Sequence, residues 1–199
     1  NSTIPYVNDG NASISIVGTK TVGKNLATSW DSNDPDGMTS SISHSWQTST
    51  DGNTWSQVGT KSNYSVADSE EGKKIRLVVS YTDDQGFNDG ATSPVIDIPY
   101  VDNGDADFSI HGTAAVAQTL SVSETSADPD GTGTLSYNWQ TSTDEKTWTQ
   151  VGTNATYTIA NADEGKKIRS VISYTDTQGF SEQVITSSSD ISYLDDGDA

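Results

Sequence analysis

The sequence predicts an all-β protein made of two tandem β-sandwich domains, and three observations carry that expectation. The chain repeats itself: Trp46 and Trp139 each open the string W-Q-T-S-T-D and lie 93 positions apart. Apolar residues alternate with Ser and Thr over short runs, the two-residue period of half-buried strands. Turn-forming residues return about every 8–12 positions, as in sandwiches, and no stretch keeps a helical period for a useful length. A repeat near 93 residues exceeds the periods of helical solenoids and propeller blades, so each copy reads as a self-contained domain.

The copies are delimited by a recurring joint. It reads I-P-Y-V-D-N-G-D-A-D-F from Ile98 to Phe108, I-P-Y-V-N-D-G-N-A-S-I from Ile4, and begins again as I-S-Y-L-D-D-G-D-A at Ile191. This places one domain at residues 1–101, with its N-terminal joint at 4–11. A second follows at 102–194, and a third joint starts at 195–199. The chain reads as a piece of a longer, elongated tandem array.

Within each unit the strands follow in order. Ile14 and Ile16 alternate with serines and mark the first strand, with Phe108 and Ile110 as their counterparts. Val22, Leu26, Thr28 and Trp30 mark the second. It ends in the loop D-S-N-D-P-D-G, Asp31 to Gly37, where proline and glycine interrupt regular structure. The third strand places Ile42, His44, Trp46 and Thr48 on one face, matched by Leu135, Tyr137, Trp139 and Thr141. Trp46 and Trp139 then correspond to the buried Trp on the third strand of immunoglobulin sandwiches. Asp51-Gly52 is a tight-turn signal, and Asp144-Glu145 fills the same place without the glycine. Trp55 with Val58, and Tyr64 with Val66, mark two further strands. The stretch Ala67 to Lys74 is expected to be a turn or a single helical turn. Ile75 to Asp83 is the strongest strand of its unit, and a last strand around Val95 to Tyr100 leads into the next joint.

Composition narrows the function. The net charge is −18, from 28 acids and 10 bases, so little is available to neutralise phosphates or an anionic membrane surface. Neither nucleic acid nor membrane insertion is expected, and no apolar run approaches the roughly 18 residues of a membrane span. There is no Cys, which removes disulfides, thiol catalysis and Cys-zinc sites. The two histidines, His44 and His111, stand at non-equivalent positions and make no repeated site. No Gly-rich phosphate loop and no His-acid-Ser set is present, so no enzymatic activity is expected. Leu, Ile, Val and Phe total 35 of 199 residues, a small apolar stock, so bound cations would add rigidity that the cores supply sparingly.

The carboxylates point to such a cation. In an immunoglobulin-like topology, the loop after the second strand and the loop before the last strand share one end with the N-terminal joint. In the second unit this gathers Asp102, Asp105 and Asp107 of the joint with Asp128 and Asp130 of D-P-D-G and with Asp176. In the first it gathers Asn8 and Asp9 with Asp34, Asp36, Asp83 and Asp84, and the crossover acids Asp68, Glu70 and Glu71 are expected to face the next joint. Carboxylates a few ångströms apart repel by about 1 kcal/mol per pair in water and about 4 at an effective dielectric of 20. A hard divalent ion removes that cost. Calcium takes six to eight oxygens in flexible geometry, whereas zinc favours His or Cys. Calcium is the expected ion, and the competing reading is a set of ordinary Asp-rich turns facing solvent.

The strings G-K-K-I-R-x-V-x-S-Y-T-D-x-Q-G-F, W-Q-T-S-T-D and D-P-D-G resemble the immunoglobulin-like extender repeats of giant bacterial surface proteins. These include RTX-type adhesins and similar cyanobacterial and marine proteins. The resemblance spans nearly all of both units. It implies an extracellular spacer at the bacterial cell surface, stiffened by calcium between neighbouring repeats of the same chain and monomeric in isolation. It also implies calcium ligands among Asp102, Asp105, Asp128, Asp130 and Asp176 and their counterparts. Asn11 in place of Asp105 and Thr177 in place of Asp84 suggest that the two ends bind unequally. The competing function is a carbohydrate- or ligand-binding module using Trp30, Trp55 or Trp148 as exposed aromatic surfaces.

Overall fold

Alternation of apolar and hydroxylated residues builds sixteen short strands among the described residues, 4–39 and 41–193 of this computed structural model. They form two compact units divided between Val101 and Asp102. The third joint at 195–199 lies outside the described residues.

In unit 1, β1 (Ser13–Gly18), β2 (Asn25–Ser32) and β5 (Asn63–Ser65) form one antiparallel sheet in the order β1-β2-β5. The facing sheet has the order β4-β3-β6-β7, from β3 (Ser43–Ser49), β4 (Ser56–Gly59), β6 (Lys74–Thr82) and β7 (Asn88–Thr92), and β8 (Ile96–Asp97) pairs with β6. Unit 2 repeats this plan. Its β9 (Asp107–His111), β10 (Thr119–Ser126) and β13 (Thr156–Thr158) form the smaller sheet. The larger holds β11 (Ser136–Ser142), β12 (Thr149–Gly152), β14 (Lys167–Thr175), β15 (Ser181–Ile185) and β16 (Ser189–Asp190). The fold is two immunoglobulin-like β-sandwiches.

Each core closes on one tryptophan. Trp46 and Trp139 have no exposed surface. Trp46 stacks on Tyr64 at 5.7 Å and donates Nε1–H to the Lys61 carbonyl at 2.9 Å. Trp139 does the same with Tyr157 at 6.0 Å and the Asn154 carbonyl at 2.9 Å. The ring therefore fills the core while its one polar atom stays bonded, as burial of an indole requires.

Two readings of the sequence need correction. β7 and β15 run between the Q-G-F loop and the last strand, where no separate strand was expected. The reason is composition: β7 reads N-D-G-A-T, without apolar alternation, and pairs with a single neighbour, β6. The last strand is also shorter than expected, with only Ile96–Asp97 in β8, although Ile98 beyond it is buried in the core.

The first hairpin turn of each larger sheet is held by an aspartate. Asp51 Oδ1 accepts the Asn53 and Thr54 amides, each at 2.8 Å, and the Ser49 hydroxyl at 2.9 Å. Gly52 beside it has φ +76°. The equivalent Glu145 takes φ +57°, a left-handed conformation adopted by a residue with a Cβ. The Thr54 amide above all, then the Asn53 amide, holds the Asp51 carboxyl well below its ordinary value of 3.8. The stability this contributes is present above that value and is lost as pH falls through the depressed folded one. Asp51→Asn is therefore expected to flatten the acid limb of a stability–pH curve below about pH 4, read by thermal melts across pH.

Candidate metal centre

At one end of each unit, three carboxylates converge. Asp34, Asp36 and Asp83 offer oxygens that all lie within 4.8 Å of one another, and so do Asp128, Asp130 and Asp176. All six side chains are buried or nearly so, from 1% exposed at Asp83 to 9% at Asp36. No Lys or Arg pairs with any of them among the described residues.

Local backbone chemistry explains the placement. In D-P-D-G the first carboxylate turns back on the chain: Asp34 Oδ1 accepts the Asp36 amide at 2.9 Å, and Asp128 Oδ1 accepts the Asp130 amide at 2.7 Å. The closing glycine, Gly37 or Gly131, donates to the carbonyl of that Asp at 3.1 Å. Gly37 has φ +87°, and a Cβ there would run into the Asp84 side chain, so the turn requires glycine. At the other loop, Asp83 Oδ1 accepts the amides of Gln85 (2.9 Å) and Phe87 (2.7 Å). Asp176 Oδ1 accepts those of Gln178, Gly179 and Phe180. Asp34, Asp83, Asp128 and Asp176 thus each commit one oxygen to their own turn, while Asp36 and Asp130 accept from groups outside theirs.

The joint is tied to the same carboxylates. The Asp9 amide donates to Asp36 Oδ2 at 2.7 Å, and the Asn103 amide donates to Asp130 Oδ2 at 2.6 Å. A tyrosine makes a second link. Tyr81 Oη accepts the Ala12 amide and donates to Asp34 Oδ2, both at 2.8 Å. Tyr174 relays Ala106 to Asp128 at 2.8 and 2.7 Å. Burial first, then the partnering carboxylate, pushes the Tyr174 hydroxyl up to about 12, so it stays protonated as a donor.

Several acceptors at this end have nothing to accept. Asp83 Oδ2 is buried without a donor. Gln85 donates Nε2 to Asp36 Oδ1 at 2.7 Å, which leaves its own Oε1 buried and unpartnered. Gln178 repeats this, donating to Asp130 Oδ1 at 2.9 Å and orphaning its Oε1. An unpartnered buried acceptor costs about 1–3 kcal/mol, more if charged. Carboxylate and amide-carbonyl oxygens gathered without a cationic side chain suit a hard ion such as calcium, and they do not suit zinc.

The other expected ligands lie around these triads. Asp9 is exposed and contributes its amide. Asp84 is exposed beside Gly37. Asp107 is exposed at the start of β9, opposite Ser126. Asp102 is exposed and caps the Gly104 amide at 2.9 Å. Asp105 is exposed and meets Glu182, whose carboxyl is pushed up to about 7 by its hydrogen bond to Asp105, by burial, and by the charges of Asp102, Asp105 and Asp128. Glu70 corrects the expectation for the crossover acids. It is 3% exposed and accepts the Tyr64 hydroxyl at 2.5 Å and the Ala67 amide at 3.1 Å, so it braces the interior of its own unit. Glu71 accepts the Val101 amide.

Sequence reasoning missed Gln85 and Gln178, the two tyrosine relays, and Glu182. The repeated D-x-Q-G-F and S-Y-T-D strings were the available signals for the first two pairs. Glu182 sits on β15, the unread edge strand.

The candidate aromatic surfaces are all engaged. Trp30 is half-buried and meets Tyr81 edge-on at 6.3 Å. Trp55 and Trp148 lie beneath the guanidinium groups of Arg76 and Arg169, at 4.1 and 4.0 Å.

No protein-family model and no curated protein matches the chain. Among solved structures it is similar to the chicken CNTN1 FN1-FN3 domains, at 12% identity and TM-score 0.32, covering 88% of this chain and 65% of that one. It is similar to a set of titin domains at 15% identity and TM-score 0.34, covering 92% and 61%. It is also similar to a Ca2+-stabilized adhesin that helps an Antarctic bacterium reach out and bind ice, at 16% identity and TM-score 0.34, covering 93% and 49%. The chain spans between about half and two thirds of the length of these proteins. Likeness at these TM-scores carries no functional weight, and the sandwich fold rests on the strand pairing itself.

Proposed function

We propose that the chain is a spacer: a pair of structural repeats from a bacterial surface adhesin, stiffened by calcium at the N-terminal end of each unit. The observation that carries this reading is the pair of buried aspartate triads with orphaned oxygens. Each is wired to the joint backbone through an amide and a tyrosine hydroxyl. Asp34, Asp36, Asp83 and Gln85 would hold one ion, and Asp128, Asp130, Asp176 and Gln178 the other. Calcium supplies positive charge that lets the three carboxylates stay ionised at close quarters. The protein does the rest. Because Asp36 and Asp130 also accept the joint amides, fixing the triad fixes the direction in which the chain enters the sandwich. A fixed entry would limit bending along a tandem array.

The ligand-binding reading loses its support, because Trp30, Trp55 and Trp148 are committed to intramolecular packing.

The test is small-angle scattering with circular dichroism while calcium is returned to chelator-treated protein. The expected result is a change from a broad to a narrow distribution of dimensions at millimolar calcium, with the β signal unchanged. Asp36→Asn with Asp130→Asn should remove the change. A scattering curve and melting temperature both indifferent to calcium would refute the spacer mechanism.

A further inference from the structure

The joint divides into two halves with different attachments. Its second half, which holds Asp9 or Asn103, is bonded to the sandwich that follows it in the chain. Its first half closes the sandwich before it. Ile98 is 2% exposed in the core of unit 1 and donates its amide to the Lys73 carbonyl at 2.8 Å. Ile191 is likewise 2% exposed in unit 2 and donates to the Lys166 carbonyl at 2.8 Å. Two residues on, Tyr100 lies over Gly72 and Tyr193 over Gly165. These glycines have φ +70° and +71°, and a Cβ at either would run into the tyrosine. Glu71, just before Gly72, accepts the Val101 amide.

Residues Ile4-Pro5-Tyr6-Val7 repeat Ile98-Pro99-Tyr100-Val101 letter for letter, yet unit 1 has no place for them. The slot they would fill is already taken by Ile98. Ile4 is 91% exposed, Tyr6 and Val7 are exposed beside it, and no strand includes residues 4–7 among the described residues. A contiguous apolar run left in solvent marks a contact surface. What covers such a run is shown twice within the same chain, by the surroundings of Ile98 and of Ile191.

We propose that Ile4–Val7 is a docking segment whose partner is another sandwich of this repeat type, which it closes as Ile98–Val101 closes unit 1. The partner is defined by chemistry. It offers an open core slot for Ile4 and the carbonyl of the first lysine of a Gly-Lys-Lys string for the Ile4 amide. It offers a glutamate before that glycine for the Val7 amide. The glycine is the discriminating feature: any side chain there would strain a left-handed backbone and occupy the space of the Tyr6 ring. Each repeat is then completed by residues of the joint that follows it, so the folding unit and the sequence repeat are out of step by half a joint. The inference rests on the tandem-repeat part of the proposed function and not on calcium.

Scanning calorimetry in chelator tests it, so that a failure of calcium binding is not mistaken for a failure of docking. The chain is extended by a copy of residues 102–190 placed directly before Ile4, which asks Ile4–Val7 to close a sandwich that Ile191 closes in the parent. A third transition is expected, carrying about one third of the total heat. Ile4→Ala in the extended chain should lower it by at least about 8 °C, and Ile4→Val, which keeps most of the buried volume, by less. Gly165→Ala in the added copy should lower the same transition by displacing Tyr6. In the parent chain Ile4→Ala should move neither transition by more than about 4 °C, whereas Ile98→Ala should lower that of unit 1 by at least about 8 °C. Absence of the third transition overturns the proposal. So does a third transition indifferent to Ile4→Ala. So does a parent unit 1 that Ile4→Ala destabilises as much as Ile98→Ala, because the segment would then belong to unit 1.

Discussion

Trp46→Ala is expected to destabilise the first unit severely and leave the stability of the second unchanged. Truncating a fully buried tryptophan costs about 3–5 kcal/mol, against a total stability of about 5–15 kcal/mol for a domain. The loss falls at the upper end, because Trp46 also stacks on Tyr64 and satisfies the Lys61 carbonyl. The cores are thin, so few neighbours can close over the cavity. Trp139→Ala should do the same to the second unit through Tyr157 and Asn154. Denaturant unfolding followed by circular dichroism would show one transition moved to low denaturant and the other in place. A single transition shifted as a whole would show instead that the two units unfold as one.

Calcium should be the largest stabilising ligand. With a Kd of about 10⁻⁴–10⁻³ M, typical of extracellular modules, about 10 mM calcium adds about 1.4–2.7 kcal/mol per site. For domains of this size that raises the melting temperature by about 5–20 °C. Asp83→Asn and Asp176→Asn should each abolish the gain in their own unit. They should also stabilise the calcium-free protein slightly or leave it unchanged, since each removes one of three crowded charges. That opposite sign is diagnostic. A purely structural aspartate would lose stability with and without calcium, and differential scanning calorimetry in chelator and in calcium separates the cases.

The Trp30 column shows how far the repeat could be read. On β1 and β2, Ile14 faces Trp30, whereas on β9 and β10 Phe108 faces Glu124. The aromatic has moved to the neighbouring strand, and in both units it meets the same tyrosine edge-on, Tyr81 at 6.3 Å and Tyr174 at 6.2 Å. Aligning the repeats by sequence makes Trp30 look unmatched and free for a ligand. The paired strands show one packing position filled from either side.

What the sequence determined by itself is whatever rests on local pattern. Two-residue alternation set the strong strands, D-P-D-G set the turns that bear Asp34, Asp36, Asp128 and Asp130, and the 93-residue repeat set the two-domain plan. Tertiary structure decided what depends on groups distant in the chain. It decided that Gln85 and Gln178 spend their amide N–H on Asp36 and Asp130 and leave a carbonyl oxygen facing inward. It decided that Tyr81 and Tyr174 connect joint to carboxylate, and that Glu70 is internal while Glu182 stands among acids. The physical reason is that periodicity reports only which face of a strand is apolar. The partner of a buried polar atom is set by which strands the fold makes neighbours, and β7 and β15, which carry Asp89 and Glu182, have too few apolar residues to announce themselves.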